Sequence, residues 1–202
     1  MHTRAPRTYQ DVNTAAEAAD WQSALRGDAE AFGRVFDLLH PRVYRHALRL
    51  SHDAHDAEDV LAAAFLHLWQ RRKDVRLVDG SVLPWLLVTT TNLALNQRRG
   101  LRRYRAFLAG LPRAQPQATS AEDTAFTSVE LDVDPALLRA MEELSGADRQ
   151  LLVLIALEDY SLRAAAQVLG ISEQAGRSRW QRLRRRLASR LAADSLAFAT
   201  GR

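Results

Sequence analysis

The sequence contains no cysteine, which excludes disulfides, thiolate zinc sites and thiol redox sensing by this chain itself. It also lacks any apolar run near the roughly 18–20 residues that span a bilayer, so no membrane insertion is expected. Residues 1–20 have no continuous apolar core and carry Asp11, Glu17 and Asp20. They do not read as a secretory signal, and a cytoplasmic location is the expectation. Charge of one sign is scarcely in excess, the formal net charge being +4. What is present is a folded chain's composition, 47% hydrophobic and 26% charged over 202 residues, enough for one large domain or two small ones.

The placement of charge says more than its sum. Residues 171–190 hold Arg177, Arg179, Arg182, Arg184, Arg185, Arg186 and Arg190 against the single acid Glu173, a local balance of +6. Residues 97–105 add Arg98, Arg99, Arg102, Arg103 and Arg105 with no acid, which leaves the remainder of the chain at −7. Two basic segments on an acidic protein suggest two separate contacts with a polyanion. The alternative is a pair of solvated helix ends, since arginine near a helix C-terminus favours the dipole.

Periodicity is helical almost throughout. Phe32, Val35, Phe36 and Leu39 share one face, Pro41 is expected to interrupt, and Val43, Ala47 and Leu50 continue on a second helix. A third helix is predicted over 53–72, with Leu61, Phe65 and Leu68 on one face and acids at its N-terminal end. Pro84 suits the first turn of a fourth, running to about Arg99. Residues 111–134 are rich in Pro, Ser, Thr and acids and read as a linker. Leu137, Met141 and Leu144 then mark a short amphipathic helix, and Ser145 with Asp148 resembles a capped start for the apolar run 151–157.

The sharpest local signal is C-terminal. Residues 161–169 can form a short helix, Gly170 a tight exit, and Ser172 a cap for a longer helix from Glu173. This is a helix-turn-helix layout, whose second helix enters the major groove of DNA. Gly176, Trp180, Leu183 and Leu187 should pack inward, while Arg177, Ser178, Gln181 and Arg182 point outward near its first turns. Arginine pairs with guanine and glutamine with adenine edges; Arg184, Arg185 and Arg186, further on, suit phosphates.

The N-terminal half carries an ordered set of motifs: Gly27-Asp28 with Ala31-Phe32, Asp56-Ala57-Glu58-Asp59-Val60, Phe65-Leu66 with Leu68-Trp69, Pro84-Trp85-Leu86 and Asn92-Leu93-Ala94. With the linker and helix-turn-helix behind it, this set resembles the sigma-70 superfamily, in particular its minimal ECF (extracytoplasmic function) group with sigma regions 2 and 4 only. The resemblance implies an all-α fold of two small helical domains joined by a flexible linker, the second a helix-turn-helix. The divisions expected are a flexible N-terminal segment 1–20, region 2 over 21–105, a linker 106–134, region 4 over 135–192 and a tail 193–202.

The resemblance also implies roles. It implies a non-enzymatic factor, without cofactor or metal, that would carry core RNA polymerase to promoter DNA, docking on the clamp helices and the flap, with an anti-sigma factor as a further candidate partner. Polymerase contact falls to Asp56, Glu58, Asp59, Phe65 and Trp69, with core packing an equal alternative for the two aromatics. Here Ala62 and Ala63 replace a polar pair often seen in the family. The −10 element falls to Arg76, Asp79 and Ser81 in the loop 76–83 and to Asn92, Asn96, Arg98 and Arg99 on the next helix, with Arg102 and Arg103 suited to the same backbone. The −35 element falls to Arg177, Ser178, Gln181, Arg182, Arg185 and Arg186. Ala175 and Gly176 depart from a common Thr–Val pair, and Gly176 loses about 1 kcal/mol of helix propensity against alanine.

Two other readings fit parts of the sequence. A metal-dependent phosphohydrolase could use His52, Asp53, His55 and Asp56 with His40, His46 and His67, although their spacing fits no recognised zinc pattern. A stand-alone helix-turn-helix regulator would bind duplex DNA without polymerase and would not need the motifs of the first half.

Overall fold

The computed structural model describes the backbone of residues 9–51, 53–110 and 135–200, and side chains between Thr14 and Ser189 within them. Among the described residues there are eight α-helices and no strand longer than an isolated bridge. The expected linker 111–134 lies outside the described residues.

Helix α1, Tyr9–Leu25, includes residues 9–20 of the segment expected to be flexible, whose first eight residues lie outside the described ones. Its alanines favour helix, and Trp21 and Ala24 are buried against the next helix. Glu17 is buried too: it accepts from Val82 N at 2.7 Å and from Ser81 Oγ at 2.8 Å, pinning α1 to the loop before α4. Burial raises the pKa of this carboxyl despite those two donors.

Helix α2, Ala29–Leu50, begins at Asp28, whose Oδ1 accepts from Ala31 N at 3.0 Å. Pro41 sits inside it without ending it, contrary to the two helices expected. An interior proline removes one ladder bond and costs about 3 kcal/mol. The helix persists because Val35 and Leu39 before it and Val43, Ala47 and Leu50 after it are all buried along one stripe. Helix α3, Ala54–Gln70, is capped by Asp53, which accepts from Asp56 N at 2.7 Å.

A tight turn follows, with Val78 and Ser81 exchanging backbone bonds and Asp79 and Gly80 at φ +53° and +82°. Asp-Gly is the dipeptide that tolerates two successive left-handed residues. Helix α4 spans Leu83–Ala109, about ten residues beyond the expected end, through four residues assigned to the linker. Its arginine, leucine and alanine content outweighs the one Gly100.

In the second half, α5 (Pro135–Glu143) leads to α6 (Gly146–Leu152), where Ser145 accepts from Asp148 N as expected. A single π-helical turn, Val153–Leu157, then adds a residue to the coil and turns Glu158 toward α2 and α4. Helix α7 (Leu162–Leu169) ends at Gly170, φ +67°, with Ile171 N bonded back to Ala166 O at 3.1 Å, the paired C-terminal closure glycine permits. Helix α8 runs from Glu173 to Thr200, through residues 193–200 of the expected tail. A Cβ on Gly176 would stand 3.3 Å from Ala166 Cβ, so the unusual glycine allows α8 to lie close on α7.

Two apolar clusters result. One joins Trp21, Val35, Leu39, Leu61, Phe65 and Leu86 inside the first half. The other runs across both halves, from Leu50, Ala94 and Leu95 to Leu138, Met141, Leu151 and Leu154.

Candidate nucleic-acid interface

Helix α8 divides by face as its sequence suggests. Gly176, Leu183 and Leu187 are buried, Trp180 half-buried, and Arg177, Ser178, Gln181 and Arg182 exposed. Gln181, Arg184, Arg185 and Ala188 line a shallow hollow beside them. Arg177 pairs with Glu173 at 3.0 Å one turn earlier, an exposed contact worth at most about 1 kcal/mol and readily exchanged. Arg179 and Arg186 are held differently: both pair with Asp148 of α6, at 2.7 and 3.3 Å. Burial would raise the Asp148 carboxyl, but bonds from Arg179 and Ser145 and the nearby Arg186 charge bring it below its usual value. Arg186, assigned to phosphate, thus serves at least partly to fasten α8.

On α4, Asn96, Arg99, Arg102 and Arg103 line a second basic hollow. Arg99 donates to Asn96 Oδ1 at 2.7 Å, so the two work as a unit. Asn92 lies further in and accepts from Arg149 Nη1 at 2.9 Å. Arg149 also donates to the carbonyls of Met141 and Leu144, at 2.9 and 3.0 Å, a cation closing the C-terminal end of α5. Arg98 and Arg102 both pair with the Glu142 carboxylate, Arg98 at 3.8 Å. Burial lowers the pKa of Arg98.

The loop assigned to the −10 element splits. Arg76 and Asp79 are exposed, but the Ser81 hydroxyl is committed to Glu17. A side-chain carbon on Gly170 would stand 3.4 Å from Arg76 Nη1, so this arginine lies against the turn of the helix-turn-helix.

On α3, Glu58 and Asp59 face solvent, while Asp56 is half-buried and accepts from Gln97 Nε2 at 2.6 Å. Phe65, assigned to polymerase, is instead core: it is 4% exposed, with its ring centroid 4.6 Å from that of Phe36. Trp69 is half-buried between Phe32 and the Arg72 guanidinium, which sits 4.1 Å from its ring. The exposed apolar residue on this face is Leu66, 55% exposed, in line with Glu58, Asp59 and Ala62. Helical spacing from Glu58 through Ala62 would have found it.

The polar group that sequence reading missed altogether is Glu158. Its side chain is fully buried and pairs with Arg42 at 2.6 Å, His46 Nδ1 at 2.7 Å and Arg49 at 3.6 Å. Burial would raise its pKa, but His46 and Arg42 bring it down to about 2. The other nitrogen of His46 lies 2.8 Å from Thr91 Oγ1, whose own proton goes to Leu87 O. His46 is therefore occupied structurally rather than as a metal donor. Among the described residues no three His, Asp or Glu side chains are gathered as metal ligands; His52 of the hydrolase reading lies outside them.

Comparison with known proteins agrees with this geometry. Residues 35–104 match sigma-70 region 2 and residues 135–187 match sigma-70 region 4. The probable RNA polymerase sigma factor RfaY of Xanthomonas campestris pv. campestris is 31% identical over 183 residues, 88% of this chain and 44% of that protein. The ECF RNA polymerase sigma factor SigM of Mycobacterium tuberculosis is 32% identical over 167 residues, 81% of this chain and 79% of that one. The chain thus spans less than half the length of the first relative and most of the second. The solved structure of CnrH in complex with the cytosolic domain of CnrY superposes with a TM-score of 0.52 at 23% identity, over 89% of this chain and 99% of that one. Helical among the described residues, with a region 2 half and a helix-turn-helix region 4 half, the chain is of the sigma-70 class. The chain belongs to the ECF group of RNA polymerase sigma factors. Neither matched family model describes an enzyme, and no helix among the described residues is long and apolar enough to cross a membrane.

Proposed function

We propose that this chain directs promoter-specific initiation with a division of labour among three faces. The outer face of α3, with Glu58, Asp59, Ala62 and Leu66, docks on the clamp helices of core RNA polymerase, with Trp69 at its edge. The hollow of Asn96, Arg99, Arg102 and Arg103, with Arg76, Asp79, Asn92 and Arg98 beside it, holds the −10 strand. Arg177, Ser178, Gln181 and Arg182 read the −35 element, while Arg184 and Arg185 meet phosphates. It works in the cytoplasm, without catalysis or cofactor. CnrH is found in complex with the cytosolic domain of another protein, and a protein that restrains this chain, an anti-sigma factor, is part of the reading.

The observation that carries it is the presence of two separate arginine faces, on α4 and α8, in halves that match regions 2 and 4. A stand-alone regulator would use only the second. The two readings part on one experiment. A sigma factor co-elutes with core polymerase and then retains promoter fragments, whereas a regulator binds duplex operator DNA with polymerase absent and ignores the core enzyme.

A further inference from the structure

Glu17 is a buried carboxylate, 4% exposed, that belongs to none of the three faces proposed above. It lies on α1, ahead of the residues 35–104 that match region 2, yet its bonds go to the loop 76–83. Ser81 Oγ donates to its two oxygens at 2.8 and 2.9 Å, and Val82 N donates to Oε1 at 2.7 Å. The Ser81 oxygen in turn accepts from Leu83 N at 3.0 Å, in the first turn of α4. One carboxylate thus fixes both the end of the loop and the start of the helix that carries Asn96 and Arg99.

Helix α1 meets the turn closely at a second point. Gly80 is left-handed, at φ +82°, and a side-chain carbon on it would stand 2.9 Å from Thr14 Cγ2. Thr14 and Glu17 are three residues apart and share one face of α1, so a single stripe holds the turn twice. Beside them Asp79 is left-handed as well, at φ +53°, a state that persists outside glycine where the surroundings over-determine it. In this conformation Val75, Val78 and Val82 are buried while Arg76 and Asp79 face out. An apolar side chain would fill the place of Glu17 without the cost of burying a carboxylate. What the carboxylate adds is direction, because it accepts only from donors standing at fixed places. Telling one base from another requires that the reading groups be locked by supporting bonds behind them. We propose that Glu17 is a positioning residue for promoter recognition, holding the loop through Ser81 and Val82 so that Arg76 and Asp79 meet the −10 strand. The proposal rests on the assignment of that loop to the −10 element.

The test uses core polymerase carrying the full chain and the strongest promoter obtained from a genomic fragment library. That promoter and its single-base changes across both elements compete in one reaction, and transcript ratios are read. Such ratios do not depend on the active fraction of protein, so a merely structural loss leaves them unmoved. Glu17→Ala flattens the parent's preference in the −10 element by about fivefold, the scale of one mismatched base pair. It leaves the −35 ratios and co-elution with core polymerase at the parent's level. Glu17→Gln, with one oxygen left for Val82 N, falls between the two. Asp20→Ala removes a carboxylate on the same helix that pairs with Arg34 instead of the loop, and keeps the parent's ratios. Arg76→Ala combined with Asp79→Asn flattens the −10 ratios directly. If that combination flattens them while Glu17→Ala does not, or if Asp20→Ala flattens them equally, the positioning role is overturned and the loop assignment stands. If neither the combination nor Glu17→Ala moves them, the loop does not read the −10 element, and the assignment falls with the proposal. Should Glu17→Ala lose helicity by circular dichroism, Glu17→Gln decides by the same ratios.

Discussion

Glu158 shows how far context moves a single residue. A buried carboxyl is ordinarily pushed toward neutrality, yet Arg42, His46 and Arg49 face it from α2, with Asp159 and Tyr160 adjoining, and its pKa falls from 4.5 to about 2. A folded value below the unfolded one adds stability that is complete above about pH 4.5 and drains away as pH falls toward about 2. Glu158→Gln should therefore lower unfolding stability at neutral pH by roughly 1.5–3 kcal/mol. The gap between variant and parent should close as pH falls from about 4.5 toward about 2; urea titrations over that range measure it, and a gap that widened in acid would contradict the pairing. Gly176 makes the opposite kind of point, a residue chosen for what it omits. Alanine there regains about 1 kcal/mol of helix propensity against a crowded contact with Ala166, and should be nearly neutral. Valine should destabilise the second half by about 1–3 kcal/mol through overpacking. The same urea titrations, followed by tryptophan fluorescence, to which Trp180 contributes, distinguish the two.

At the scale of the element, α3 and α8 each present one face inward and one outward, and each yields a separable pair of effects. On α3, Phe65→Ala should cost about 3–5 kcal/mol of stability. Glu58→Lys with Asp59→Lys, or Leu66→Ala, should leave melting near the parent's and weaken co-elution with core polymerase. Undiminished core binding in both outward variants would remove this face from the interface. On α8, Arg177→Ala should cost roughly 1–3 kcal/mol on the cognate −35 element and relax preference at one base position. Arg185→Ala should weaken all sequences alike and shallow the salt dependence. Holoenzyme binding to matched and single-base-changed duplexes at several salt concentrations separates them. Arg186→Ala belongs to a third kind, because its pairing with Asp148 ties it to the fold.

The elements also show which features the sequence discloses. The capped starts at Ser145 and Ser172, the short helix before Gly170, the exit at Gly170 itself and the inward face of α8 were all legible, because each rests on neighbours within one or two turns. Helix α1 was not, since alanine gives little hydrophobic contrast and the partner of Glu17 is some 65 residues away in Val82. Nor was the passage of α2 through Pro41, where buried contacts on both sides override a local breaker. Phe65 was read both as inward and as a polymerase contact, and Leu66 was given no role; adjacent helical residues point about 100° apart, and only the outward stripe from Glu58 decides between them. Glu158 was invisible because its three basic partners lie more than a hundred residues earlier.

For the molecule as a whole, the matches to regions 2 and 4 and the two arginine faces converge on one task. Each half alone has other uses: the first could bind a protein, the second an operator. On the proposed reading the two act together, with a polymerase to span them and a promoter of two elements. The most direct measurement is transcription by core polymerase on a genomic fragment library, with and without the purified chain, followed by mapping of transcript starts. The account predicts starts that appear only with the chain and share two upstream sequence elements, near −10 and −35. Starts identical with and without the chain, while it shifts the same duplex fragments in the absence of polymerase, would contradict it.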